Sequence, residues 1–297
     1  MSDLISQSPE EWRNYTVNIP IAACRLGRND LKALYKIIDD KQKQYRDRFL
    51  TVLVQQPSES AEVFSARQQK VKNCFVTSVS ITATNGEIVT GNNEEFFNGP
   101  NIPSSIRSVF YSTQSVPQAV IQHQPADRIT VFLDFSRRPL LDFQRQPTLP
   151  TPNESNFQIA ANLEPWFTSA KSKLNDFFQE RKSGFDWLHR SAVYDVLLFV
   201  FGIPWALWND HRLSKFVELG NFPAPLSYGT YIYIFLFSLI IFRVLFSYSR
   251  WVFPKIEIES IPPLLTSPLR HRAVWAAILL AAFGGPAYDL IKLLFIG

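Results

Sequence analysis

Residues 228–248 (YGTYIYIFLFSLIIFRVLFSY) constrain this chain more than any other segment, because 21 residues carry a single charge, Arg243. They are apolar on every face of a helix. A helix without a polar stripe has no place on the surface of a water-soluble domain. At 1.5 Å per residue, about 20 such residues cross a hydrocarbon core of roughly 30 Å.

Two further segments read the same way. Residues 192–208 (AVYDVLLFVFGIPWALW) hold one charge, Asp195, and residues 273–288 (AVWAAILLAAFGGPAY) hold none. The latter continues past Asp289 and Lys292 to an apolar end. The sequence therefore predicts an all-α transmembrane bundle of about three helices over residues 191–297, with spans near 192–208, 228–248 and 273–295. Gly284, Gly285 and Pro286 mark a helix break in the last of these, where a re-entrant hairpin is the alternative to a full span.

Basic residues set the orientation. Arg181, Lys182 and Arg190 precede the first segment, and Arg250, Lys255, Arg270 and Arg272 lie between the second and third. Only Arg212 and Lys215 lie between the first and second. The positive-inside bias then puts the N-terminal half and the second loop in the cytosol, at the plasma or inner membrane. On this topology Asp195 and Arg243 sit near the same membrane face and are expected to pair, a structural role preferred to an ion pathway. Asp289 and Lys292, three apart on one helix, are expected to pair at the outer end. Trp205, Trp208, Trp251 and Trp275 fall at segment ends, where an interfacial aromatic belt stands.

The half before residue 191 patterns as a water-soluble domain. Residues 1–14 carry Asp3, Glu10 and Glu11 and no apolar core, so they read as a tail and not as a signal peptide. Residues 15–190 read as a cytosolic two-layer α+β domain: an antiparallel sheet with two helices on one face. Residues 15–24 read as an edge strand because of Pro20. A helix capped at Asn29 or Asp30 presents Leu31, Leu34, Tyr35, Ile38, Tyr45 and Phe49 on one stripe, with Lys32, Lys36, Lys41, Lys43 and Arg46 solvated between them. Strands follow at 73–83, 87–90, 106–113 and 128–135, with Asn85-Gly86 supplying a hairpin turn. Residues 137–155, with four prolines, read as an exposed connector. Residues 156–161 make a last strand, and Glu164-Pro165-Trp166 opens a second helix ending near Gly184. Between the second and third spans, KIEIESI alternates strictly, which reads equally as a short strand docking on the cytosolic domain or as a surface loop with incidental alternation.

The same residues exclude several chemistries. The chain carries 30 Lys and Arg against 26 Asp and Glu, too even and too dispersed for a nucleic-acid footprint. Cys24 and Cys74 are its only cysteines, and the four histidines lie far apart, so neither a disulfide framework nor a zinc cage has the residues it needs. No cofactor, metal or catalytic residue is assigned. The expectation is a multi-pass membrane protein whose cytosolic domain senses or binds a protein partner. It would act as a non-enzymatic sensor, scaffold or membrane-acting effector, of the kind used in prokaryotic stress or defence. Its surroundings would be the lipid bilayer and, if several copies assemble, a homo-oligomer. The alternative is a subunit of an oligomeric channel or transporter; a membrane-tethered enzyme is least favoured.

Overall fold

The computed structural model describes residues 14–98, 102–137, 139, 145–216, 223–259 and 267–295. The predicted tail falls outside them apart from Asn14. The chain divides into two units. The first takes the residues up to Ser136, Asn153–Ser183 and Ile256–Ser260; the second takes Arg137–Pro152, Gly184–Lys255 and the residues from Ile261 onward. The boundary thus differs from a single cut at residue 190. The proline-rich connector is mostly counted with the helices, and the KIEIESI segment mostly with the α+β unit.

The α+β unit is built on a six-stranded antiparallel sheet. In chain order its strands are β1 (Tyr15–Pro20), β3 (Ser78–Ala83), β4 (Ile88–Gly91), β5 (Ile106–Ser112), β6 (Arg128–Asp134) and β7 (Asn156–Ala161). Their spatial order is β1-β7-β6-β5-β3-β4. β1 is therefore an edge strand, the position Pro20 tolerates because it has no N–H to give a neighbour. Gly86, at the β3–β4 turn, has φ +88°, a conformation that carries little penalty only without a side chain.

Alternation decides which face is covered. Val79, Ile81, Val109, Tyr111, Ile129, Val131, Leu133, Phe157 and Ile159 point into the core, where burying each apolar side chain contributes about 1.5–3 kcal/mol. The helices α1 (Arg28–Thr51) and α4 (Glu164–Glu180) complete that core with Leu31, Leu34, Ile38, Trp166, Leu174 and Phe178. The start of α1 is fixed by Asp30, whose carboxylate accepts the Gly27 N–H at 2.8 Å and an Arg181 N–H at 2.7 Å. Acid in a first helical turn also meets the positive end of the helix dipole.

Three details depart from the sequence reading. Lys41 is buried and not solvated: its ammonium donates to Ser169 Oγ at 2.7 Å, and burial lowers its pKa. Residues Ala61–Cys74 form a helix, α2, capped by Ser60, so the strand expected from 73 begins at Ser78. A short helix, α3 (Ser115–Ile121), lies between β5 and β6. With Tyr45, Phe49, Phe75 and His123, these two helices enclose a second apolar cluster.

The alternating segment after residue 255 does form a strand. β8 (Ile256–Ile258) pairs in parallel with β2 (Cys24–Leu26), and the Glu259 N–H extends the ladder to the Leu26 carbonyl at 2.8 Å. Ile256 is buried in the α+β core.

The second unit is helical. α5 (Val193–Leu197) passes through one π turn, Leu198–Gly202, into α6 (Ile203–Phe216); then come α7 (Ala224–Val252) and α8 (Ser267–Phe295). Among the described residues, α7 alone is long and apolar enough to cross a membrane, and 17% of its most apolar stretch is buried. The first expected span is interrupted at the π turn, where Gly202 lets Phe242 approach: a Cβ there would stand 3.0 Å from that ring. α6 then runs on into Asn209, Asp210, His211 and Arg212. The expected third span lies within α8.

Candidate functional site on the uncovered sheet face

The alternation that buries one face of the sheet leaves much of the other exposed, Ser78 and Ser112 being buried on it, and the register aligns its side chains in rows. One row reads Thr90, Ser80, Phe110, Phe132, Asn156, Pro20 from β4 to β1. The next reads Ser78, Ser112, Thr130, Gln158, Asn18, and a third reads Ile88, Thr82, Ser108, Asp134. Phe110 and Phe132 are thus direct cross-strand partners in a field of hydroxyls and amides.

Two shallow grooves occupy this face. One, of 520 Å³, is lined by Phe110, Gln114, Thr130, Phe132, Glu154, Asn156 and Gln158. The other, of 280 Å³, shares Gln114, Thr130 and Gln158 and extends to Thr16, Asn18 and Arg128. The arrangement offers two apolar rings for stacking, and amide and hydroxyl groups for hydrogen bonding. Among the described residues, Glu154 and Arg128 are the charged ones lining the two grooves.

A third groove, of 420 Å³, lies beside α1. Several of the charges in and beside it pair: Glu94 holds Lys32 at 2.9 Å and Lys36 at 3.0 Å, and Asp39 holds Lys43 at 2.8 Å. The hydrogen bonds from Lys32 and Lys36 keep the Glu94 carboxyl below its usual range. Both cysteines are buried, and burial raises the Cys74 thiol. Among the described residues no three of His, Cys, Asp and Glu are grouped to hold a metal ion.

The residues singled out from the sequence lie in the helical unit, with partners other than those expected. Asp195 accepts a hydrogen bond from Thr148, and Arg243 donates to the Arg145 carbonyl at 3.1 Å. The folded-back connector supplies what each was expected to find in the other. Asp289 accepts from Trp208 Nε1 at 3.0 Å and Arg212 at 3.4 Å, both on α6, while Lys292 is exposed one turn further along α8. A partner across helices has replaced the one on the same helix.

Gly284, Gly285 and Pro286 do not break α8. Proline has no N–H, so the carbonyl four residues earlier, Ala282, loses its helical donor. The indole Nε1 of Trp205 donates to that carbonyl at 2.8 Å. Gly285 is where α6 comes close: a Cβ would lie 3.1 Å from the Trp208 ring.

One residue the sequence did not single out organises this unit. Arg250, in the last turn of α7, donates to the carbonyls of Pro147, Leu149 and Leu188 at 3.0 Å and of Arg190 at 3.3 Å. It fastens the connector and the 3₁₀ turn Asp186–His189 to the end of α7. His189 sits beside it, bonded through Nδ1 to Thr151 Oγ1 at 3.0 Å; burial, then the Arg250 charge, lowers its pKa to about 4.

Charge is unevenly divided in the helical unit. At the end where α7 finishes and α8 begins stand Arg137, Arg145 and Arg190, then Arg243, Arg250 and Lys255, then Arg270 and Arg272, against Asp186 and Asp195. At the opposite end, among the described residues, Arg212, Lys215 and Lys292 face Asp210 and Asp289.

Compared with protein-family models, curated proteins and solved structures, the chain matches none. Its function is therefore argued from these residues alone.

Proposed function

We propose that this is a multi-pass membrane protein of the non-enzymatic sensor or scaffold type. In this reading the α+β unit binds a partner on its uncovered sheet face, and the helical unit is the anchor that responds. The observation that carries the binding assignment is the Phe110–Phe132 pair, set among Ser80, Thr130, Asn156 and Gln158 and lining an open groove. Aromatic anchors ringed by hydrogen-bonding groups are what recognition surfaces use. The response assignment follows from connectivity. β8 belongs to the α+β unit, yet it is the segment of chain between α7 and α8. A change at β2, the strand β8 pairs with, therefore has a short route to both helices.

The membrane assignment extends from α7 to its neighbours. α6 meets α7 through Asn209 and Ser238 at 3.4 Å, and Trp275 of α8 donates to Ser249 of α7 at 2.6 Å. Polar contacts of this kind join helices in hydrocarbon. Exposed Phe199, Phe201, Ile232, Leu236 and Leu280 face outward, where lipid is the solvent that suits them.

The test is a photo-crosslinking residue in place of Phe132 in the full-length protein in cells. A discrete adduct, absent when the same residue replaces exposed Val63 on α2, is expected; no adduct at Phe132 overturns the binding-face reading. Retention in the membrane pellet after alkaline carbonate washing checks the anchor.

A channel or transporter subunit is the second reading, favoured by the Asp289–Arg212–Trp208 cluster within the helices. Single-channel recording of reconstituted protein decides it, since a silent bilayer removes that reading.

A further inference from the structure

We propose that the basic end of the helical unit is a binding site for the headgroup of an anionic phospholipid, an inference that rests on the membrane reading above. Among the described residues, eight Arg and Lys stand there against two Asp, while the opposite end is nearly balanced at three against two. That asymmetry suits a negatively charged leaflet on one side only.

The local geometry makes this more than a diffuse field. The Trp251 ring lies 5.2 Å from the Arg137 guanidinium and 4.8 Å from the His271 ring. The Tyr248 hydroxyl fixes His271 through Nδ1 at 3.0 Å, and the Trp275 indole is held by Ser249. These rings are thus positioned before any ligand arrives, which lowers the ordering cost of binding. Exposed Arg137 and Arg270 supply guanidinium forks of the geometry a phosphodiester accepts.

The occupant has to satisfy two solvents at once. The cluster sits at the last turn of α7 and the first turns of α8, and α7 is the helix suited to hydrocarbon. A ligand here meets cations at its head and apolar helix surface below. A diacyl phospholipid with a net negative headgroup has both parts. A nucleic acid or an acidic peptide has only the first.

The experiment uses the full-length protein reconstituted in phosphatidylcholine vesicles that carry a minor fraction of dibrominated phosphatidylglycerol or dibrominated phosphatidylcholine. Quenching of tryptophan fluorescence reports which lipid lies against the protein. Phosphatidylglycerol is expected to be enriched about threefold at low salt, the enrichment shrinking as salt rises. Arg137→Gln combined with Arg270→Gln should remove the preference, whereas Arg212→Gln with Lys215→Gln, at the opposite end, should leave it intact. Circular dichroism confirms that both variants are folded.

Equal quenching by the two lipids overturns the proposal while leaving the membrane reading in place. So does loss of the preference in both double variants alike. Displacement by inorganic phosphate marks a free-anion site and overturns the lipid assignment. Failure to enter either vesicle overturns the inference together with the reading beneath it.

Discussion

The two units distribute similar residues differently between inside and outside. In the α+β unit Leu34, Ile38, Ile81 and Tyr111 are fully enclosed, and its uncovered sheet face is mostly hydroxyls and amides. In the helical unit the enclosed positions include Ser238, Ser249 and Ser214, while Phe199 is 78% exposed and Leu280 75%. On the membrane reading proposed above, the large apolar side chains displayed by the helical unit would meet a surrounding that is itself apolar, while Trp205, Phe242, Phe246 and Phe253 are enclosed within it. The difference teaches that one polypeptide carries two folding rules, and each unit's mutations should obey its own.

The largest effect is expected in the α+β core. Leu34→Ala removes a side chain with no exposed surface, and should lower stability by about 2–5 kcal/mol, measured by chemical denaturation in detergent. The matching change in the other unit is Phe199→Asp. On a soluble surface it would shift stability by less than about 0.5 kcal/mol. Facing hydrocarbon, it should cost about 3 kcal/mol and reduce the membrane-inserted fraction. An unchanged inserted fraction would collapse the contrast between the units.

The pH dependence sharpens the comparison at the connector. His189 has a folded pKa of about 4 against an ordinary 6.5, so between those values the unfolded chain binds more protons. Stability contributed by the neutral ring is complete above pH 6.5 and is lost as pH falls toward 4. The loss is at most about 3 kcal/mol. Thermal unfolding from pH 7 to 5 should show the decline, and His189→Gln should flatten it. A slope unaffected by that substitution would assign the dependence to other groups.

The smallest expected effect tests the continuity of α8. Trp205→Phe keeps the ring but removes the donor to Ala282, leaving a carbonyl without its partner beside Pro286. About 1–3 kcal/mol should be lost. Val or Leu in place of Pro286 restores a backbone N–H, so the same Trp205→Phe change should then cost little. Equal losses in both backgrounds would mean that the indole does not substitute for the missing N–H.

Local patterning made most of the α+β unit legible. Alternation at 106–112 and 128–134, the Asn85-Gly86 turn, Pro20 at an edge and the stripe on α1 are each decided within a few residues. The alternation of KIEIESI allowed a strand; its partner, Cys24–Leu26 more than two hundred residues earlier, was found only by the fold. The sheet face was hidden because its rows combine five or six strands, and no single strand shows that Phe110 opposes Phe132.

Long-range partners were what the sequence misassigned. The two ionic pairs were sought at helical spacing or between apolar segments, where chemistry is readable in one dimension. Asp195 and Arg243 instead met a folded-back proline-rich connector, and Asp289 met α6. Lys41 had the spacing of a solvated residue and became buried because Ser169, 128 positions away, lay within reach.

By itself, then, the sequence determined most strands of the antiparallel sheet, the two long helices of the α+β unit and the most apolar helix, α7, because propensity and periodicity are local. Only the tertiary structure decided who pairs with whom. Hydrogen bonds and charges take whichever partner is brought within about 3 Å, and that is set by how distant segments pack.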